Sequence, residues 1–280
     1  MNRLLATATL LAALATPARA HEFWLSPSGY RPAAGDVVSV SMFAGTGFRG
    51  EVKPYAVPRT VRFVLRGARV SDLRGLAANG DPVAARFRVA DGSGQLLAYE
   101  SNFASIELPA PEFDRYLKLE GLDGPLAARK DGGPGRERYA RCPKAWIGAG
   151  HAERVTQPAG LTLEIVPLAD PSTSPRLPVR VLLRGQPLGG VLVRAWNRPL
   201  AGAGAGAAPV DPAARDSVGP VAEKRTNARG EATLDVGRAG EWLVSAIYME
   251  PSADTQAADW QSFWASVTFA RDARRENRAP

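Results

Sequence analysis

The sequence predicts a mainly β protein: two antiparallel β-sandwich domains, with one short helix in the first. Three observations predict it. Apolar residues alternate with polar ones over many short runs, turn-forming clusters of Gly, Pro, Asn and Asp separate the runs, and a proline-rich segment from Pro167 to Pro178 divides the chain.

The elements follow in order. Residues 1–20 read as a secretory signal peptide, with Asn2 and Arg3 as a positive start, an apolar run from Leu4 to Leu14, and Ala18-Arg19-Ala20 as the cleavage triplet. A cut after Ala20 makes His21 the first residue of the mature chain, which is then expected in the periplasm or outside the cell. The apolar run is shorter than the roughly 18 to 20 residues of a spanning helix, so no membrane span is expected after cleavage.

The first domain, 21–168, alternates at Val38, Val40 and Met42, at Val61, Phe63 and Leu65, and at Val83, Ala85, Phe87 and Val89. Turns are predicted at Asn79-Gly80-Asp81-Pro82 and Asp91-Gly92-Ser93-Gly94. In 111–121, Phe113, Tyr116, Leu117 and Glu120 keep the three-and-four spacing of a short helix, which Gly121 suits as a stop. A charged, glycine-rich loop from Leu122 to about Gly135 precedes a strand through Trp146 and Ile147.

Pro167 to Pro178 reads as a linker. The second domain, 178–271, alternates at Val179, Val181 and Leu183, at Val191, Val193 and Ala195, and at Ala232, Leu234 and Val236. The pattern continues at Trp242, Val244, Ala246 and Tyr248, and at Phe263, Ala265, Val267 and Phe269. A Gly/Ala/Pro-rich stretch, 199–220, is read as a flexible loop within it.

Composition narrows function. The formal charge of +7 includes Arg3 and Arg19, leaving +5 from residue 21 onward, scattered as single arginines among acidic residues. Nucleic-acid binding needs a concentrated basic stripe and is set aside. Cys142 is the one cysteine, so no intramolecular disulfide can form. It reads as a small buried hydrophobe, with a thiolate ligand or an intermolecular bridge as alternatives.

The strongest chemical signal is His21. At a free N-terminus its α-amine and imidazole Nδ1 chelate one ion together, and an amine pKa of about 7.7 to 8.0 lets a metal displace the proton near neutrality. A third nitrogen would complete a histidine brace, and His151 is the other histidine of the chain. Nitrogen ligands suit nickel, cobalt, copper(II) and zinc, while three methionines make no thioether cluster for copper(I). Oxygen ligands would come from Glu22, Glu100, Asp114, Glu120, Glu137 or Asp259. Glu137, flanked by Arg136, Arg138 and Arg141, could equally pair with one of those arginines. In the plainer reading His21 is an accident of cleavage and His151 a surface residue in a Gly-Ala-Gly-His turn.

Several stretches together resemble one family: His21-Glu-Phe-Trp-Leu25, Tyr116-Leu-Lys-Leu-Glu-Gly121, Glu137-Arg-Tyr-Ala-Arg141 with Lys144, Gly160-Leu-Thr-Leu-Glu-Ile-Val-Pro167, and Asp259-Trp-Gln-Ser-Phe-Trp-Ala-Ser266. It is the bacterial periplasmic family of unknown function described as the periplasmic component of cobalt- and nickel-type transport systems. The resemblance implies a secreted, two-domain β protein whose N-terminal histidine helps hold a divalent transition metal for delivery to a membrane transporter. It also implies a histidine in a late strand, where this chain has Tyr248-Met249. With none there, His151 would have to serve from another loop. The stretches Gln186–Ala195 and Thr226–Leu234 resemble the transthyretin-like regulatory module found beside carboxypeptidases.

The expected function is therefore a periplasmic binding protein for nickel, cobalt or copper, accessory to uptake through a membrane transporter, with His21, His151, Glu120 and Glu137 as ligands and no enzymatic activity. Two alternatives from other classes stand beside it: a histidine-brace copper monooxygenase, and a metal-free β-sandwich interaction module. No Ser/His/Asp or Cys/His arrangement points to hydrolysis, and Gly202 to Gly206 lacks the lysine of a phosphate loop.

Overall fold

The computed structural model describes residues 22–129, 132–200 and 219–272. The chain opens with β1 (Glu22–Pro27), β2 (Val37–Thr46), β3 (Arg49–Lys53), β4 (Thr60–Arg66), β5 (Val70–Asp72), β6 (Ala85–Arg88), β7 (Gln95–Ser101) and β8 (Ala104–Leu108). Helices α1 (Ala110–Leu119) and α2 (Asp123–Ala128), strand β9 (Gly135–Ile147) and helix α3 (Glu153–Thr156) follow. The last strands are β10 (Leu163–Pro167), β11 (Arg176–Leu183), β12 (Gln186–Pro187), β13 (Leu192–Arg198), β14 (Ala222–Arg225), β15 (Glu231–Asp235), β16 (Gly240–Pro251) and β17 (Trp260–Arg271).

The protein is mainly β, built of stacked, largely antiparallel sheets, as the alternation predicts. One outer sheet has the order β1-β2-β3 with β6 also on β2, and another has β10-β11-β12 with β15 also on β11. Between them lies a nine-stranded sheet, β14-β13-β16-β17-β9-β7-β4-β5, with β8 also on β9. The two sandwiches thus share their middle sheet. The join is the parallel pairing of β17 with β9, from Trp260 opposite Glu137 to Thr268 opposite Ala145.

Strand geometry decides what covers each face, because successive side chains point to opposite sides. On β7, Leu97 and Tyr99 pack with Leu25, Val38, Val40 and Met42 of the first outer sheet. The intervening Leu96 and Ala98 pack with Leu163, Ile165 and Val179 of the second. The outer sheets therefore lie on opposite faces of the central one. Buried on both sides, β7 and most of β17 show no exposed stripe.

Helix α1 shares the face of the first outer sheet, where Phe113, Tyr116 and Leu117 pack on Ile247, Met249 and Trp264. It lies one residue from the predicted start, with proline in its first turn, and Gly121 at φ +64° ends it as expected. Gly135, where β9 begins, is packed so closely that an added Cβ would lie 2.2 Å from the Phe113 ring.

Three expectations are refined. Val61 falls out of the alternation and is 53% exposed, because a register shift between Thr60 and Arg62 interrupts the β4–β7 ladder. Part of the loop after Leu122 winds into α2. The proline-rich segment after Pro167 is a fixed turn, held by Asp170 Oδ1 accepting from Ser172 N at 2.9 Å and by Arg271 Nη1 donating to Pro171 O at 3.0 Å. Most of the predicted 199–220 loop lies outside the described residues. Among the described residues no helix is long and apolar enough to cross a membrane.

Candidate functional site

Between the start of β1 and the C-terminal end of α1, one face of the central sheet carries a seam of polar side chains. Glu22 enters it as the first residue of β1 and Glu120 as the residue just past α1. Glu137, Tyr139 and Arg141 come from alternate positions of β9, Arg194 from β13, and Ser262 and Trp264 from β17, where Ser262 pairs with Tyr139 and Trp264 with Arg141.

Each group has distinct partners. Glu137 Oε1 accepts from Tyr116 OH at 3.2 Å and from Ser262 Oγ, while Trp264 Nε1 donates to Ser262 Oγ at 2.9 Å. Arg194 Nη1 donates to Glu120 Oε2 at 2.6 Å, and its Nη2 to Leu119 O. The Arg141 guanidinium lies over three rings, 4.5 Å from Trp264, 4.6 Å from Tyr139 and 5.7 Å from Phe23. Tyr116 stacks on Trp264 with centroids 6.1 Å apart.

The electrostatics are those of acids withdrawn from water. Burial, reinforced by the Glu120 carboxylate, pushes Glu22 up to about 8. Burial pushes Glu137 up to about 7 despite its donors and the nearby Arg141. Burial also raises Glu120, against the opposing pull of Arg194, and lowers Arg141. Glu22 and Glu137 are only 3% and 1% exposed, and Oε2 of each has no hydrogen-bond partner among the described residues. Buried polar atoms rarely stay unpaired without a reason, and two such carboxylate oxygens suit a cation.

The sequence-predicted ligands divide accordingly. Glu120 and Glu137 come to the seam, and so does Glu22, the residue that follows His21. His21 itself lies outside the described residues. His151 does not come to the seam. It sits at φ +54° in the turn after β9, 53% exposed on its side chain, with Nδ1 3.0 Å from Glu153 Oε1. Ten residues of extended chain, about 33 Å, separate Glu137 from Ile147, so His151 is at the far end of the strand. β1 starts at the seam and runs toward that far end. Phe23 O accepts from Ser266 Oγ at 2.7 Å, and Tyr30 O accepts from Gly148 N at 2.9 Å. The expectation of His151 as a ligand beside Glu120 and Glu137 is therefore corrected: the surface turn suggested by its sequence is there, but at the far end of β9 from the seam.

The remaining candidates are otherwise engaged. Asp114 pairs with Arg129 at 2.7 Å, Asp259 with Arg136 at 2.6 Å, and Glu100 Oε1 accepts from Thr162 N at 3.2 Å. Met249 is buried in the apolar floor beneath α1. Cys142 is buried in the core, and burial pushes its thiol up to about 12, which suits the hydrophobe reading over a thiolate ligand. Among the described residues no group of three or more His, Cys, Asp or Glu could hold a metal ion by itself. The role of Arg194 escaped sequence reasoning, because nothing local to β13 signals a partner at the end of α1.

Comparison with known proteins adds a family and little else. A family model described as Domain of unknown function (DUF4198) matches residues 18–250. No curated protein matches the chain. Among solved structures it is similar to the D0-D1 domain of Intimin, at 11% identity over 89% of this chain and 97% of that one, with a TM-score of 0.20. At that score the likeness bears on neither fold nor function.

Proposed function

Because the chain belongs to the DUF4198 family, whose description assigns no activity, we propose from its own residues that it is a periplasmic binding protein for a divalent transition metal, nickel, cobalt or copper. In this reading removal of residues 1–20 frees the α-amine of His21, which binds the ion together with its imidazole. The protein then serves metal uptake through a membrane transporter, without catalysing a reaction.

The observation that carries the reading is the setting of the next residue. Glu22 opens β1 inside a seam where three carboxylates face the guanidiniums of Arg141 and Arg194, and where, among the described residues, one oxygen of Glu22 and one of Glu137 have no donor. Burying acids in excess of bases is costly, and such sites recur where a cation binds or chemistry is done. The free amine and imidazole are nitrogen donors suited to a divalent ion.

The test is calorimetric titration of the cleaved protein with nickel(II) and copper(II). Binding of one ion per chain is expected, lost in His21→Ala and in a form carrying one extra residue ahead of His21, whose amine is then an amide. Unchanged binding in either form rules the reading out.

A further inference from the structure

Resting on the reading that the seam receives an ion, we propose that the β2–β3 hairpin is a latch over the seam, held shut by Phe48 against the strain of its own turn, and that its release admits the ion to the buried carboxylates.

The turn itself is the first observation. Two residues, Gly47 and Phe48, join β2 to β3, with Thr46 paired to Arg49. Both have positive φ, 56° and 67°, as tight hairpins require, which is why glycine, asparagine or aspartate usually fill such turns. The backbone does not favour phenylalanine there, because in the left-handed region its Cβ crowds the following carbonyl. A bulky residue persists in that conformation only where its surroundings over-determine it.

Those surroundings are side chains drawn from both sheets. Arg49, Glu51 and Val52 of β3 are exposed, yet Phe48 at the hairpin tip is only 3% exposed and packs with Trp24, Phe43, Trp196 and Leu243. Its ring meets Trp24 edge-on at 6.0 Å, and the Arg198 guanidinium lies over it at 4.4 Å. Arg198 is itself held, since its Nε donates to Glu241 Oε2 at 2.6 Å and Tyr30 OH donates to Glu241 Oε1 at 2.6 Å. Phe48 therefore joins the tip of an end hairpin to β13 of the central sheet.

What the closed tip covers connects it to the seam. Gly45 pairs with Glu22, and the Thr46 hydroxyl, two residues from Phe48, donates to the buried Glu22 carboxylate. Thr46 thus rests on Glu22 while Phe48 rests on Trp24, the next residue along the same face of β1. Just behind the turn Gly45 and Gly50 face each other, so close to the opposite backbone that an added Cβ would lie 1.9 Å from Arg49 O or 2.3 Å from Ala44 O. That pair gives the tip a place to bend, since hinges are a few such positions that absorb the backbone change. Turn strain favours the open hairpin and burial of the ring favours the closed one, so the element has two opposed states.

The rival account is a static hairpin whose phenylalanine only packs. The measurement is amide exchange of the cleaved protein over a series of urea concentrations, for wild type, Phe48→Gly and Phe48→Ala, followed by the rate of nickel(II) association with each. A latch that opens by itself exposes little surface, so in wild type the β2–β3 ladder is expected to exchange faster than the β16–β17 ladder and with little dependence on urea. Phe48→Gly removes both ring and strain, whereas Phe48→Ala removes the ring alone. Opening is expected to rise at least about tenfold in Phe48→Gly, because a buried aromatic outweighs the strain. It is expected to rise about tenfold further in Phe48→Ala, the cost of one left-handed non-glycine residue expressed as a ratio. Nickel association is expected to quicken in the same order. Should either variant fail to fold, wild type decides alone: a β2–β3 ladder that exchanges only with the urea dependence of β16–β17 overturns the latch. Equal opening in the two variants overturns the strain that makes the hairpin a latch. Nickel that enters all three forms at one rate while their opening differs overturns the gate alone, whereas wild type that binds no nickel overturns the metal reading and the gate with it.

Discussion

Lys144 Nζ donates to Glu164 Oε1 at 2.7 Å with both side chains withdrawn from water, tying β9 of the central sheet to β10 of the second outer sheet. The two ends of this pair are not equivalent. Glu164 also accepts from the N–H groups of Ala159 at 2.6 Å, Gly160 at 2.9 Å and Leu161 at 3.2 Å, whereas the ammonium has Glu164 as its carboxylate. Burial alone would raise Glu164, but Lys144 and these N–H groups more than offset it and hold the acid below the ordinary carboxylate range. Glu164→Leu strands a buried cation and three N–H groups, and is expected to cost about 3–5 kcal/mol. Lys144→Met leaves a carboxylate that still has three donors and is expected to cost less. Urea unfolding of the two variants checks the order, and equal losses would contradict it.

Glu137 gives a pH dependence of known sign. Its folded-state pKa is raised from 4.5 to about 7 by burial, so between those values the folded chain holds a proton that the unfolded chain has released. Stability of the metal-free protein therefore contains a contribution that is complete below the unfolded value and lost as pH rises through the folded one. Urea midpoints measured from pH 4.5 to 8 are expected to show this decline, and Glu137→Gln to flatten it. A wild-type profile no steeper than that of the variant would contradict the assignment.

What was legible in the sequence follows from what is local. Val38, Val40 and Met42 share a face because consecutive residues of one strand set that pattern, and α1 was legible from Phe113, Tyr116, Leu117 and Gly121 for the same reason. Val61 was misread because the register shift beside it lies in the pairing of two strands and leaves no mark in either alone. The shared middle sheet depends on Trp260 meeting Glu137, and the seam on Arg194 meeting Glu120 across 74 residues. No periodicity encodes such pairs. Glu22 and Glu137 stood in the sequence as two of six acids, and only the burial of each with an oxygen unpartnered among the described residues distinguishes them.

Arg141 tests whether the seam needs a guanidinium or merely a positive charge. Its planar group lies 4.5 Å from Trp264 and 4.6 Å from Tyr139, a stack that a compact ammonium cannot reproduce. Arg141→Lys preserves charge and loses the stacking, and is expected to cost about 2 kcal/mol, the upper range for a desolvated cation over aromatic rings. Chemical denaturation measures it, and a variant as stable as wild type would assign the residue a role of charge alone.

Gly135 connects backbone packing to the site. At this position β9 passes so close to α1 that a methyl group would lie 2.2 Å from Phe113 Cγ and 2.3 Å from its Cδ1. Phe113 is fully buried and anchors the helix, and Arg129 stacks on its ring at 4.8 Å, so the ring has little room to yield. Gly135→Ala must therefore lift α1 from the sheet, at an expected cost of about 1–3 kcal/mol for overpacking. Lifting α1 also moves Glu120, at its end, away from Arg194 on β13, which the helix does not carry. The variant is accordingly expected to lose stability and to weaken the Glu120–Arg194 pair together, so that a following Glu120→Gln change costs less in Gly135→Ala than in wild type. A double-mutant cycle reads that difference directly, and strict additivity would show that α1 holds its place despite the added methyl group.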